Sequence, residues 1–275
     1  MAAALSLFVV LWGCGSPAGS AGGIDTTGTT PRTDTSGACA LHCDASTPSF
    51  PRYFGDTAWG DVTTYGGTDT TLTSSGGACN YGPTGIRFYA AIQVDRLPGD
   101  LQGQWNGGRT CGQGVRVRAR TETGWKETFA RIMDKCPDGY CGIDLGGAPA
   151  AALMGTRPGR YSGEWTFVSC KGHPELFDGA PHLYTKDGTN DWWSLIQVRD
   201  GWTAVARLRY RLAPDSAWRD MPWATEAENF FKAPSELLAW SDSVDIEVLY
   251  ADSSEQRSRL AAHDFKHEKI SYPLE

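Results

Sequence analysis

Apolar and polar residues alternate with a period of two through most of the chain, which is the signature of half-buried strands. Residues 114–121 read Gly-Val-Arg-Val-Arg-Ala-Arg-Thr, so Val115, Val117 and Ala119 fall on one face of a strand. Residues 164–170 alternate in the same way and would close a first folded region. Within that region only residues 126–133 and 148–154 read as short helices. After Cys170 the pattern changes. Residues 193–199 and 202–210 are strand-like and meet at Asp200-Gly201, a dipeptide that signals a hairpin. In the second run Ala204, Ala206, Leu208 and Tyr210 share a face, with Arg207 and Arg209 opposite. Residues 243–250 place Val244, Ile246, Val248 and Tyr250 inward. Regular hairpins without helices predict a small antiparallel β-sandwich, and the fold class is all-β. No internal repeat is visible.

Residues 1–12 are almost wholly apolar and too short to span a bilayer permanently, so an export signal is expected. Leu11-Trp12-Gly13-Cys14 resembles a bacterial lipobox, which would lipidate Cys14; ordinary signal cleavage is the alternative. Residues 15–38 are rich in Gly, Ser and Thr and read as a flexible tether. The expected organisation is a signal over 1–14, the tether over 15–38, one β domain over 39–171 and a second over 176–275.

At 275 residues the chain can bury two cores. A high content of Gly (33) and Trp (11) suits tight turns and exposed aromatics. The net charge of −7 argues against a nucleic-acid partner and against general attraction to acidic polymers, whereas a neutral polysaccharide is unaffected by it. A local basic patch could still hide inside an acidic total.

Eight cysteines point to an oxidising compartment. Without Cys14 the set is Cys39, Cys43, Cys79, Cys111, Cys136, Cys141 and Cys170, which allows three disulfides and one thiol. No Cys-x-x-Cys pair occurs and the histidines are scattered, so neither a zinc site nor any cofactor is expected.

Four segments, in order, resemble the expansins. They are Gly60-Asp-Val-Thr-Thr-Tyr-Gly66, Gly76-Gly-Ala-Cys-Asn-Tyr-Gly82, Tyr89-Ala-Ala-Ile leading to Cys111-Gly-Gln-Gly-Val, and Met133-Asp-Lys-Cys-Pro-Asp-Gly-Tyr-Cys-Gly-Ile-Asp-Leu145. Asp191-Trp-Trp-Ser-Leu-Ile-Gln-Val-Arg199 is similar to a segment of bacterial expansins. The resemblance spans roughly residues 55 to 270. It implies a six-stranded double-psi β-barrel followed by an immunoglobulin-like β-sandwich that binds carbohydrate.

The same resemblance puts Asp144 on the floor of a polysaccharide groove, with Thr63 beside it and Asp134 in the same groove. The bland alternative is that both aspartates are turn or capping residues. A carboxyl in a partly desolvated groove can protonate a glycosidic oxygen or hydrogen-bond a sugar hydroxyl. Hydrolysis needs a second carboxylate, and the place that carries it in the related family-45 endoglucanases reads Val62-Thr-Thr-Tyr-Gly66 here. Tyr65 is a candidate carbohydrate-binding aromatic, and Tyr140 could replace the sugar-stacking Tyr whose place Cys136 takes. Gly114 stands where plant members have a cysteine, so Cys170 must pair with Cys39 or Cys43 or remain free. The resemblance favours Cys79–Cys111 and Cys136–Cys141 as bridges.

Trp192 and Trp193 are the expected sugar-stacking aromatics, because an indole face matches the apolar face of a glucose ring. Strand neighbours point to opposite sides, so the two share a face only if the strand begins or bulges there; otherwise one is exposed and the other is core. Trp223 is the candidate third ring, and Trp202, Trp218 and Trp240 read as packing residues. The expected partner is cellulose or another cell-wall polysaccharide, bound by a monomer that loosens the wall without cutting it. A hydrolase or peptidoglycan lytic enzyme using Asp144, and a binding protein alone, are the competing readings.

Overall fold

Six strands close a barrel: β1 (Thr57–Thr64), β2 (Tyr89–Gln93), β3 (Gly114–Thr121), β4 (Gly124–Cys136), β5 (Ile143–Leu145) and β6 (Tyr161–Val168), in the spatial order β1-β5-β2-β4-β3-β6. The pairs β1–β5 and β2–β4 are parallel and the other neighbours antiparallel, as the double-psi barrel requires. The alternation in β3 sends Val115, Val117 and Ala119 into the barrel, where all three are fully buried, and turns Arg116, Arg118 and Arg120 outward. Trp165 and Phe167 of β6 fill the same core. The helix expected over 148–154 forms as α1 (Gly147–Met154).

These features belong to the computed structural model, which describes residues 57–94, 104–138, 141–212 and 216–274. They all fall in one compact unit, residues 44–275. The expected export signal, Cys14, the tether, Cys39, Cys43 and Tyr140 lie outside the described residues.

The helix expected over 126–133 does not form. Those residues run inside β4, paired with β3 from Gly114↔Arg131 to Thr121↔Gly124. Thr128, Ala130 and Ile132 are buried on the barrel side, so a full ladder and core burial override the helix preference of Lys, Glu, Ala and Met.

Two four-stranded sheets follow. One has the order β10-β9-β12-β13, built from β9 (Val205–Arg211), β10 (Arg219–Asp220), β12 (Ser243–Tyr250) and β13 (Glu255–Ala261). The other has the order β11-β8-β7-β14, built from β7 (His182–Thr185), β8 (Leu195–Arg199), β11 (Phe231–Lys232) and β14 (Ser271–Pro273). The inward faces of β9 and β12 are those expected. The hairpin at Asp200-Gly201 is not, because β8 and β9 belong to opposite sheets. Asp200 adopts a φ of 50° and turns the chain across the sandwich. Ile196 and Val198 then meet Leu208 and Tyr210 face to face in the core. A short helix, α2 (Ser235–Ala239), also forms and buries Leu237 and Leu238 against that core. Trp218 packs among the guanidinium groups of Arg209, Arg211 and Arg257, and Trp202 packs on Tyr250.

Candidate functional site

The strand registers assemble a row of side chains on the barrel. Thr63 of β1 pairs with Asp144 of β5, Asp144 with Ala91 of β2, and Ala91 with Asp134 of β4. Residues in register share a face, so Thr63 and both aspartates lie on one side of the sheet with the small Ala91 between them. A bulge between Ala90 and Ala91 shifts the β2–β4 register by one residue, which brings Asp134 rather than Met133 into the row. With strands about 4.8 Å apart, the two aspartate Cα atoms, two strands apart, are separated by roughly 10 Å.

Each aspartate is held differently. Thr63 Oγ1 donates to Asp144 at 2.7 Å. Burial pushes the Asp144 carboxyl above its ordinary range, and the Thr63 hydroxyl and the nearby Arg160 charge offset part of that shift. Asp134 Oδ1 accepts the backbone N–H groups of Ala78 and Lys135, both at 2.8 Å. Tyr65 packs edge-on against Tyr89 with ring centroids 5.7 Å apart; burial and then the Asp134 charge hold its hydroxyl well above the usual range.

A cleft of about 440 Å³ opens at Asp144, lined by Thr63, Thr64, Cys136, Asp138 and Arg160. Arg160 reaches Asp61 at 2.6 Å and Asp138 at 3.5 Å, so it neutralises part of the acidic rim. Cys136 and Cys141 form a disulfide beside Asp144, as does Cys79 with Cys111 away from it. The sulfurs of Cys136 and Cys141 come within 4.8 Å of the Asp144 carboxylate, but in a disulfide they offer no thiolate to a metal. Cys170 is buried and forms no disulfide among the described residues, and burial pushes its thiol up to about 11.

The turn over residues 76–82 links this row to the sandwich. Gly76 and Gly77 have φ of 85° and 45°. A Cβ on Gly77 would fall 2.4 Å from Asp134 Cγ, so only glycine lets the turn close on that carboxylate. On the other side of the turn the Cys79 carbonyl accepts the amides of Gln197 and Asn229, each at 2.9 Å. Lys135, next to Asp134, bonds Glu228 of the sandwich at 2.9 Å, and Arg131 of β4 donates to the carbonyls of Leu176 and Gly201. Sequence reasoning missed Gln197, Asn229, Glu228 and Arg131. The signal for the first of them was a Gln inside an otherwise apolar strand.

The tryptophans are placed unequally. Asn190 Oδ1 accepts the N–H groups of Trp192 and Trp193, so the pair sits on a tight turn just before β8 rather than within a regular strand. Trp192 is 90% exposed and borders a cleft with Ser235, Glu236, Leu238 and Lys266. Trp193 is half-buried against the cluster of Leu195, Ala224 and Phe230. Trp223 packs edge-on against Phe231, and the guanidinium of Arg109, from the barrel, lies 4.7 Å over its ring. Trp223 therefore helps to join barrel and sandwich.

No protein-family model and no curated protein matches the chain. Solved structures resemble it in fold, and two of them are expansins. An aspartate-to-asparagine mutant of Clavibacter michiganensis expansin in complex with cellohexaose aligns at a TM-score of 0.56 and 17% identity, covering 79% of this chain and 95% of that one. The apo Clavibacter michiganensis expansin aligns at 0.57 and 18% identity with the same coverage. A double-psi barrel followed by an antiparallel sandwich defines the architecture, and the chain has an expansin-like fold.

Proposed function

We propose that this is an exported expansin-like protein that binds cellulose or a related cell-wall glucan and loosens it without hydrolysis. The Thr63–Asp144–Ala91–Asp134 row is the observation that carries the reading. It supplies two carboxylates and a hydroxyl, hydrogen-bonding groups for sugar hydroxyls, on one small-residue floor. Trp192, and the exposed part of Trp193, would stack on the polymer from the sandwich, with Trp223 at the junction and Tyr65 at the groove wall. The cellohexaose bound by the fold relative is consistent with a linear glucan. Disulfides fit an oxidising compartment. The test is a pull-down on insoluble cellulose, xylan and peptidoglycan, with reducing sugar assayed in the same samples. Binding without sugar release supports the reading.

A second reading has one observation in its favour. The raised pKa of Asp144 suits a general acid, and Asp134 or Asp138 would have to serve as its carboxylate partner. Reducing sugar released by the wild type and lost in Asp144→Asn would establish lytic chemistry instead.

A further inference from the structure

We infer that the outer wall of the barrel, beyond the Asp61 edge of the Asp144 cleft, carries a second glycan-binding surface selective for uronate-bearing polysaccharide. Trp59 of β1 and Trp125 of β4 are 61% and 46% exposed, and their rings meet edge-to-face with centroids 6.4 Å apart. Three strand spacings separate their backbones, so the two indoles reach toward each other over β6 and β3 while remaining exposed. The barrel core does not need them, since it is filled from the opposite face of each strand. An exposed indole face beside an indole edge forms an open corner onto which a pyranose ring can stack.

The charges around this corner select the sugar. Arg116, Arg118 and Arg120 line the outer face of β3. Arg118 bonds Glu164 and lies over the Trp125 ring, and Arg116 and Arg118 share Glu127 at 3.9 Å. Arg120 is exposed, sits in register with Trp125 and has no acidic partner among the described residues. A guanidinium beside a stacking ring fits a carboxylate on the stacked sugar. The Asp144 cleft is the more acidic of the two, with Asp61, Asp138 and Asp144 about its rim against the single Arg160, and suits the same ligand less well. The two surfaces therefore suit different polymers, a neutral glucan in the cleft and an acidic chain on the wall.

Affinity electrophoresis of the full chain through polygalacturonate and through a neutral soluble β-glucan tests this. Trp59→Ala with Trp125→Ala should weaken polygalacturonate binding at least about tenfold, equivalent to roughly 1.4 kcal/mol. Arg120→Gln should weaken it several-fold and flatten its salt dependence, and neither variant should alter cellulose pull-down. Trp59→Tyr with Trp125→Tyr keeps the rings and should restore binding, which separates loss of stacking from loss of fold. Unchanged polygalacturonate retention in the alanine variant overturns the inference, as does an equal loss toward the neutral polymer. A wild type that binds polygalacturonate but not cellulose would sink the proposed function and leave this surface standing.

Discussion

Thr63 Oγ1 and Asp144 Oδ1 are 2.7 Å apart across the parallel pair β1–β5, and this hydrogen bond offsets part of the upward shift that burial gives the groove acid. The hydroxyl stabilises the charged carboxylate, so it opposes the effect of burial. Thr63→Val keeps the shape and removes the donor. The Asp144 pKa should then rise further above its ordinary range, as followed by carboxyl carbon NMR during a pH titration. An unchanged or lower value would mean that the hydroxyl does not stabilise the charge.

The same acid should make stability depend on pH with a definite sign. Its folded pKa is raised, so the folded state holds the proton more tightly than the unfolded chain. The stability linked to that proton is full below the unfolded pKa, about 4, and is lost as pH rises through the folded value. Asp144→Asn should therefore melt at a higher temperature than wild type at pH 7, and the gain should shrink toward pH 3. Calorimetry across that range reads the difference directly.

Gly77 should tolerate no side chain. With φ at 45° and a Cβ that would lie 2.4 Å from Asp134 Cγ, Gly77→Ala forces either the turn or the carboxylate to move. The expected cost is about 2 kcal/mol or more, seen in denaturant unfolding, together with weakened glucan binding.

Gln197 and Asn229 share the Cys79 carbonyl as acceptor. Either single alanine variant leaves one donor in place. The double variant strands a buried carbonyl and should cost more than the sum of the singles, by about 1 kcal/mol. Calorimetry should also show the single transition broaden or split as barrel and sandwich uncouple.

How much of this was legible in the sequence depended on whether local pattern or long-range pairing decided the outcome. The inward face of β3 could be read from Val115, Val117 and Ala119, because burial on one side leaves a period of two in the chain. Residues 126–133 misled because their helix preference is local while the ladder to β3 is not. Asp200-Gly201 misled for a related reason: a turn dipeptide marks a reversal, and the sequence does not say whether the strands it joins pair at their edges or stack face to face. Asp144 and Thr63 were found through motif resemblance. Their contact depends on a register set across about 80 residues. Gln197 lay within the quoted 191–199 segment, but neither it nor Asn229 and Glu228 was legible as a junction residue, since their partner is a backbone carbonyl or a lysine in the other domain. Trp59 and Trp125 were invisible as a pair because only barrel closure brings β1 and β4 within reach.

The most direct test of the central claim pairs cellulose binding with sugar release. Wild type, Trp192→Ala with Trp193→Ala, and Asp144→Asn are incubated with insoluble cellulose, and bound protein and soluble reducing sugar are measured together. We expect wild type to bind, the double tryptophan variant to bind at least about tenfold more weakly, and none of the three to release sugar. Undiminished binding by the tryptophan variant, or sugar released by wild type and abolished in Asp144→Asn, would contradict non-hydrolytic binding through these residues.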